Sequence, residues 1–275
     1  QDDAFGMSGE ELHNALTLAE SAKPKSKVKT LIGHFGMGMK TACSSLGKEF
    51  KITTARPDES QIHIVQYNED EFVRKNLWKI MLHSEPKESR SFHGTVITIW
   101  SLKKKTQSKS YLREPFGRIF AYYIRNGLLE LTVQDEVIKP SELELLTANN
   151  ATDLTKVPTT RDRWSAADVK DLIRRLNKVD FNKDGKKPID FEVGKKRVYG
   201  WVGLRKHGSQ RGEYGFNLIR HDRVVKPEVK IGFAQHPATA RVIGELHLDD
   251  WEVNYNKDDF IQDTDEWIEL GDPDR

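Results

Sequence analysis

The chain has 275 residues, 37% of them hydrophobic, which is enough to bury one large core or two modest ones. Its 44 Lys and Arg residues nearly balance its 42 Asp and Glu residues, so the net charge of +2 gives no overall bias toward nucleic acid or a membrane. The single cysteine, Cys43, excludes an intramolecular disulfide framework and suits a reducing compartment. No apolar run approaches the length needed to span a bilayer, so we expect an intracellular protein, cytoplasmic or nuclear, without a membrane span.

The first predicted helix begins after a capping signal. Ser8 and Glu11 have the spacing of a capping box, in which each side chain bonds the backbone N–H of the other residue. Leu12 and Leu16 then recur at helical spacing, which predicts an amphipathic helix from about residue 9 to residue 20. The basic, proline-containing stretch 23–29 that follows predicts a loop.

A glycine-rich stretch comes next, and it is the strongest chemical signal in the chain. Residues 33–41 read Gly-His-Phe-Gly-Met-Gly-Met-Lys-Thr, like a phosphate-binding loop that runs into a helix. Glycines let a backbone approach an anion closely, and the N-terminal end of the next helix favours negative charge. Met39 displaces Lys40 by one residue from the spacing of a P-loop, so a P-loop and a purely structural turn both stay open as alternatives. We expect a short helix over 41–46, capped by Gly47 and burying Cys43.

The remaining pattern of the first half predicts a helix packed on a sheet. Strands are expected at 50–54, 62–67 and 95–100, with a turn at 57–60. A helical face at 116–124 ends at Gly127, and 128–133 returns as a strand. This combination predicts an α/β (α+β) sandwich.

A cluster of proline and asparagine residues between 140 and 160 marks a domain boundary. Beyond it, Ser165 is expected to cap a helix that carries Val169 and Leu176 on one face. Strands are predicted at 197–204, 214–220 and 241–248. Residues 180–185 imitate a calcium loop but have Phe191 where the bidentate Glu belongs, which favours a polar turn. Two basic runs, at 103–105 and 195–197, are interpreted as solvated faces.

Three glycine elements in this order give the chain a family resemblance. Residues 2–7 read Asp-Asp-Ala-Phe-Gly-Met, the glycine stretch follows at 33–39, and Gly94-Thr95 opens a strand. Together they resemble the GHKL nucleotide-binding fold that DNA gyrase B, MutL, histidine kinases, ninety-kilodalton heat-shock chaperones and MORC proteins share. Residues 255–260, Tyr-Asn-Lys-Asp-Asp-Phe, and the strand pair at 215–226 are similar to MORC segments. The resemblance spans nearly the whole chain, and MORC proteins are the nearest named group.

The resemblance implies a GHKL (Bergerat-type) ATP-binding domain at residues 1–145 and a β-α-β transducer domain at 146–275. It implies an ATPase that binds ATP and ADP, a lid between the first two glycine elements, ATP-dependent homodimerisation and a DNA or protein client. In the family, a helix upstream of the first glycine element carries the general-base Glu and the Mg²⁺ ligand. Because residue 2 already belongs to that element, we expect an N-terminally truncated module that binds Mg²⁺ and hydrolyses ATP only in the complete protein.

The resemblance also assigns site residues. Asp2 would accept a hydrogen bond from the adenine amine, with Thr95 holding a water or the adenine edge, and Lys257 would contact the γ-phosphate. Ala4 departs from the family, which has a glycine there. The remaining expected nucleotide contacts are Gly6, Met7, Gly33, Phe35, Gly36, Met37, Gly38 and Lys40. A non-catalytic scaffold that keeps the fold is the alternative from a different class, and a chaperone-type or DNA-repair ATPase of the same superfamily is a third.

Overall fold

The computed structural model of the protein describes residues 1–17, 38–103, 109–142, 144–151, 165–207, 212–236, 239–254 and 256–272. The chain forms two compact units, residues 1–108 and 109–275. Each unit combines helices with β-sheet, so the predicted mixed α/β class is confirmed. Within these described stretches, no helix has the length and apolar character needed to cross a bilayer.

The first unit is built on one four-stranded sheet. Its elements are α1 (Gly9–Leu16), α2 (Gly38–Leu46), β1 (Gly47–Ala55), β2 (Gln61–Asn68), α3 (Glu69–Lys75), β3 (Leu82–Pro86) and β4 (Gly94–Leu102). The strands lie in the order β3-β2-β1-β4, and every pairing between neighbours is antiparallel.

The core of the first unit lies between one face of this sheet and helices α1 and α2. Phe50 and Ile52 lie on the same face of β1, because side chains two positions apart in a strand point the same way. Both are buried against Leu12 of α1 and Cys43 of α2. Cys43 is the small buried residue that the sequence predicted, and burial raises the pKa of its thiol. Thr54 continues the same face of β1 by one more alternation, which places its side chain where α1 begins.

Of two predicted helix-end signals in the first unit, one is confirmed and one is corrected. The capping box forms as predicted, with Ser8 Oγ accepting from the Glu11 N–H at 3.2 Å and Glu11 Oε2 accepting from the Ser8 N–H at 2.8 Å. Gly47 does not act as a helix cap but opens β1. A Cβ there would lie 2.3 Å from the Trp100 carbonyl oxygen, so close strand packing is what requires glycine.

Two elements of the first unit were not predicted. Helix α3 is a single short helix between an Asn68 cap and Asn76, which adopts a left-handed backbone at φ 50°. Strand β3 lies at the edge of the sheet with four of its five residues exposed, so it lacks the alternation of apolar and polar residues that predicts a strand.

The second unit contains a larger, mixed sheet. Its elements are α4 (Lys109–Ile119), α5 (Ala121–Arg125), β5 (Thr132–Val133), β6 (Glu136–Val137), α6 (Ala166–Leu176), β7 (Lys186–Val193), β8 (Lys196–Leu204), β9 (Gly215–Arg220), β10 (Arg223–Val229), β11 (Val242–His247) and α7 (Asp265–Leu270). The five long strands lie in the order β10-β9-β11-β8-β7, with β9 and β11 parallel and the other pairs antiparallel. Leu218, Leu246, Trp251 and Phe260 lie in the main core of this unit.

The helical stretch after residue 109 differs from the prediction in two ways. The single helix expected over 116–124 is two helices, α4 and α5, and the strand expected over 128–133 is reduced to β5. Both helices contact β10, and Arg118 pairs with Glu228 at 2.8 Å. Residues 109–145 therefore lie in the second compact unit, whereas the sequence analysis placed the domain boundary at residue 145.

The later elements follow their sequence signals. Ser165 and Asp168 form the expected capping box at the start of α6, which buries Val169 and Leu176. Residues 180–185 form the expected polar turn, in which Asn182 Oδ1 accepts from the Asp184 and Lys186 N–H groups. Both basic runs carry ion pairs within the protein.

Candidate functional site

The first and third glycine elements meet at one end of the first unit's sheet. The Asp2 N–H donates to the Thr95 carbonyl at 2.8 Å, and the Thr95 N–H donates to the Asp2 carbonyl at 3.2 Å. This pair of bonds forms an isolated antiparallel bridge, so residue 2 extends the sheet beside the start of β4. Two segments 93 positions apart in the sequence therefore share one site.

The hydroxyl of Thr54 joins these segments to β1. Thr54 Oγ1 accepts from the Met7 N–H at 3.0 Å, donates to the Gly94 carbonyl at 2.9 Å and lies 3.1 Å from Thr95 Oγ1. Because the single Thr54 proton goes to Gly94, the Thr95 hydroxyl is the donor in the last contact. Thr95 Oγ1 consequently presents only lone pairs to a further partner. Thr54 is fully buried, and the sequence analysis did not identify it.

The two oxygens of the Asp2 carboxylate differ in their contacts. Asp2 Oδ1 accepts from the Ala4 N–H at 3.2 Å, while Oδ2 has no hydrogen-bond partner among the described residues. The side chain is exposed. His93 Nδ1 in turn donates to the Ala4 carbonyl at 3.0 Å, which adds a second link between the first glycine element and the residue before Gly94. The arrangement therefore offers the hydrogen-bond acceptors of Asp2 and Thr95 together.

Gly6 has a structural requirement of its own. Its φ is +72°, and a Cβ at this position would lie 2.0 Å from the Ala55 carbonyl oxygen. The protein backbone alone thus excludes a side chain here, whatever binds nearby. Met7, the next residue, packs partly buried against the core of the first unit, so its side chain can form an apolar wall of the site.

The second glycine element lies mostly outside the described residues. Four of the predicted nucleotide contacts are therefore not described: Gly33, Phe35, Gly36 and Met37. Gly38 is the first residue of α2, and no described atom lies within 4 Å of the position that its Cβ would occupy. Packing against the described residues therefore gives no reason for glycine at 38, in contrast to Gly6. Lys40 Nζ donates to the carbonyl of Thr17, the C-cap residue of α1, which places the ammonium at the C-terminal end of that helix.

Lys257 lies in the second unit, in a loop that Asn254 organises. Asn254 Oδ1 accepts from the N–H groups of Asp258 and Asp259, and the loop is closed by the bridge between Val253 and Phe260. Phe260 is 2% exposed and anchors the loop in the core. Lys257 has a left-handed backbone with φ 57°, at the turn of this loop.

A cation lies beside the first glycine element. The Arg56 guanidinium stacks on the Phe5 ring, 4.8 Å from its centroid, and lies 3.7 Å from the Glu11 carboxylate. No group of three or more His, Cys, Asp or Glu side chains in the described stretches is arranged to hold a metal ion. The described residues thus supply hydrogen-bond acceptors, on Asp2 and Thr95, and one cation, Arg56. They give no basis for a step through Mg²⁺.

Comparison with known families supports the GHKL resemblance for the first unit. Residues 1–109 match the family described as histidine kinase-, DNA gyrase B-, and HSP90-like ATPase. A comparison with curated proteins found no match. The family match covers the first unit with all three glycine elements, and it supports a GHKL-type, ATP-binding module there.

Proposed function

We propose that the first unit binds ATP at the end of its sheet and that the complete module hydrolyses it as a MORC-like switch. The observation that carries this proposal is the Thr54 hydroxyl, which ties Met7 and Gly94 together beside the bridge between Asp2 and Thr95. A buried threonine that joins these elements fixes the positions of two acceptors before any ligand arrives. Preorganisation of this kind lowers the entropic cost of binding.

The chemistry of the two acceptors favours adenine. Asp2 Oδ2 and Thr95 Oγ1 both accept hydrogen bonds, and the exocyclic amine of adenine is a donor. Guanine has a carbonyl oxygen at the corresponding ring position, so its acceptor would face the acceptors of the protein. Mispairing of this kind leaves polar groups unsatisfied and is a strong source of discrimination.

The phosphates would lie toward the start of α2. The Gly38 N–H and the Lys40 ammonium belong to the first turn of that helix, where the backbone N–H groups favour an anion. Lys257 would contact the γ-phosphate, and Mg²⁺ would accompany ATP. Loss of the γ-phosphate would then release the lid and the homodimer, and with them the DNA or protein client.

Calorimetry with the purified protein tests the binding step. We expect ATP to bind more tightly than GTP, and Asp2→Asn to weaken ATP binding by about 1–3 kcal/mol because an amide donor would face the adenine amine. Asp3→Asn, the neighbouring exposed carboxylate, is the matched control and should bind ATP normally. Equal affinities for ATP and GTP would contradict the proposed site.

Two alternatives make different predictions. A scaffold that keeps the fold without binding nucleotide is favoured by Ala4, which stands where the family has a glycine, and it predicts no heat of binding with ATP. A P-loop enzyme combines its loop with a strand-loop-helix unit, which typically belongs to a parallel sheet. In the described part of the first unit's sheet every strand pairing is antiparallel, which favours the GHKL assignment.

A further inference from the structure

An exposed apolar cluster lies beside one edge of the first unit's sheet. Its members are Val73, Leu77, Trp78 and Met81, with exposed fractions of 77%, 41%, 87% and 68%. All four lie within nine residues, between the last turns of α3 and the start of β3. Concentrated exposure of large apolar side chains, with tryptophan and methionine among them, is typical of a protein interaction surface.

The backbone that carries this apolar cluster is fixed in place. Asn76 ends α3 with a left-handed backbone, and the Leu77 N–H donates to the Phe72 carbonyl at 2.9 Å. Ile80 and Leu82 pack against the core of the first unit. Met81 lies between these two anchored residues and points the other way. The exposure of the cluster therefore results from how the chain is anchored.

The outer edge of the neighbouring strand β3 pairs with no described residue. In the described part of the first sheet, β3 pairs only with β2. The Lys87 N–H donates to the Ser60 carbonyl at 2.9 Å, and Lys87 and Ser60 continue the β3–β2 register by one residue. Because bonded pairs alternate along an antiparallel ladder, the backbone groups of Leu82 and Ser84 are directed outward. Pro86 has no N–H, so the open donors lie at the end of β3 nearest the apolar cluster.

The charged side chains between Val73 and Met81 are all positive. Lys75 pairs with Glu71 at 2.6 Å, but neither Arg74 nor Lys79 has an ion-pair partner among the described residues. These two cations flank Trp78 in sequence. An acidic partner would therefore meet complementary charge.

We propose that the outer edge of β3 and the apolar cluster bind an extended segment of a partner protein that carries acidic and large apolar side chains. The segment adds a strand next to β3, places apolar side chains against Trp78 and Met81, and pairs its carboxylates with Arg74 and Lys79. A lipid surface would leave the outward backbone groups of β3 without partners. Nucleic acid would engage the two cations but would leave most of the apolar cluster uncovered.

A labelled peptide tests this proposal on the full chain. The probe is a fluorescein-labelled peptide of ten residues in which glutamate alternates with valine or phenylalanine, and binding is followed by fluorescence anisotropy. We expect Trp78→Ser and the double substitution Arg74→Glu/Lys79→Glu each to weaken binding at least about tenfold. The matched controls are Trp100→Ser, a half-exposed tryptophan on the opposite edge strand β4, and Lys139→Glu, an exposed lysine in the second unit. Both should bind like the unmodified protein.

Modified peptides separate strand addition from nonspecific adhesion. N-methylation of alternate amides blocks one edge of the peptide and spares the other, so one of the two methylation patterns should abolish binding while the other preserves it. Equal binding of both patterns would overturn the proposal, as would tighter binding of a lysine-for-glutamate peptide. Preferential binding to vesicles with phosphatidylserine or to duplex DNA that is lost in Trp78→Ser would also overturn it. Sedimentation that shows self-association abolished by Trp78→Ser would assign the edge to a second copy and exclude the partner segment.

Discussion

Thr54 and Thr95 face each other across β1 and β4 with their hydroxyl oxygens 3.1 Å apart, on the side of the sheet where α1 begins. Thr54 is fully buried and Thr95 is 8% exposed. A buried pair of hydroxyl groups must satisfy its hydrogen bonds within the protein, and here the partners are the backbones of Met7 and Gly94. The stability of this end of the sheet and the geometry of the proposed adenine site consequently depend on the same contacts.

Thr54→Val should destabilise the protein by about 1–3 kcal/mol, because a methyl group replaces a hydroxyl that serves the Met7 N–H and the Gly94 carbonyl. Thr54→Ser keeps the hydroxyl and should destabilise the protein less. Thr53→Val, on the opposite face of the same strand, is the positional control. Urea unfolding measures the three differences, and equal losses for Thr53→Val and Thr54→Val would show that the hydroxyl network contributes nothing specific.

Gly6→Ala should lower the free energy of unfolding by more than the left-handed backbone conformation alone explains. Gly6 and Gly127 have nearly the same positive φ, +72° and +68°, but no described atom lies within 4 Å of a Cβ at 127, while a Cβ at 6 would meet the Ala55 carbonyl at 2.0 Å. Gly127→Ala should therefore cost about 1–2 kcal/mol for the left-handed backbone. Gly6→Ala should cost about 1–3 kcal/mol more for the added crowding. Thermal or urea unfolding of the two variants gives the comparison.

The sequence predicts the elements that local signals define and misses the contacts that register creates. Ser8 and Ser165 each predict the start of a helix through a capping box, and both helices begin directly after them. Thr54 is an ordinary threonine in a strand pattern, and its role depends on the pairing that sets it opposite Thr95. That pairing joins residues 41 positions apart and leaves no mark in the neighbouring sequence. Strand β3 was missed for a similar reason, since an exposed edge strand has no buried face to impose alternation.

A buried polar cluster in the second unit makes stability depend on pH. Tyr122 from α5 contacts Glu245 Oε2 at 3.0 Å and His247 Nε2 at 3.1 Å, and His247 stacks on Tyr199 at 4.6 Å. Desolvation and the bond to Asp249 raise the pKa of Tyr199 to about 12, so this phenol stays protonated and donates. Burial lowers the pKa of His247, although Asp249, Glu245 and Asp222 oppose the shift. His247 is therefore neutral in the folded protein at neutral pH.

The sign of the effect follows from proton binding. With a folded-state pKa below the unfolded value of about 6.5, the unfolded chain binds the proton first as the pH falls. The free energy of unfolding should thus decrease from about pH 6.5 downward until the folded-state pKa is reached. His221, whose pKa burial and Arg220 also lower, adds to the same trend. His247→Phe keeps the ring contact with Tyr199 and should flatten the slope. The exposed His83→Gln is the control, and a slope unchanged in His247→Phe would contradict this assignment.

Lys257→Ala tests whether the second unit senses the terminal phosphate. The lysine lies at the turn of a loop held by Asn254 and anchored by Phe260, so truncation of its side chain should leave the loop folded. If its ammonium contacts the γ-phosphate, the substitution should weaken binding of a non-hydrolysable ATP analogue and the accompanying dimerisation, and it should spare ADP. A ligand shifts an equilibrium only through contacts made in one state and not in the other, and ADP offers no γ-phosphate. Lys187→Ala, an exposed lysine on β7, is the matched control. Sedimentation with each nucleotide decides the question, since unchanged analogue-driven dimerisation in Lys257→Ala would remove the residue from the switch.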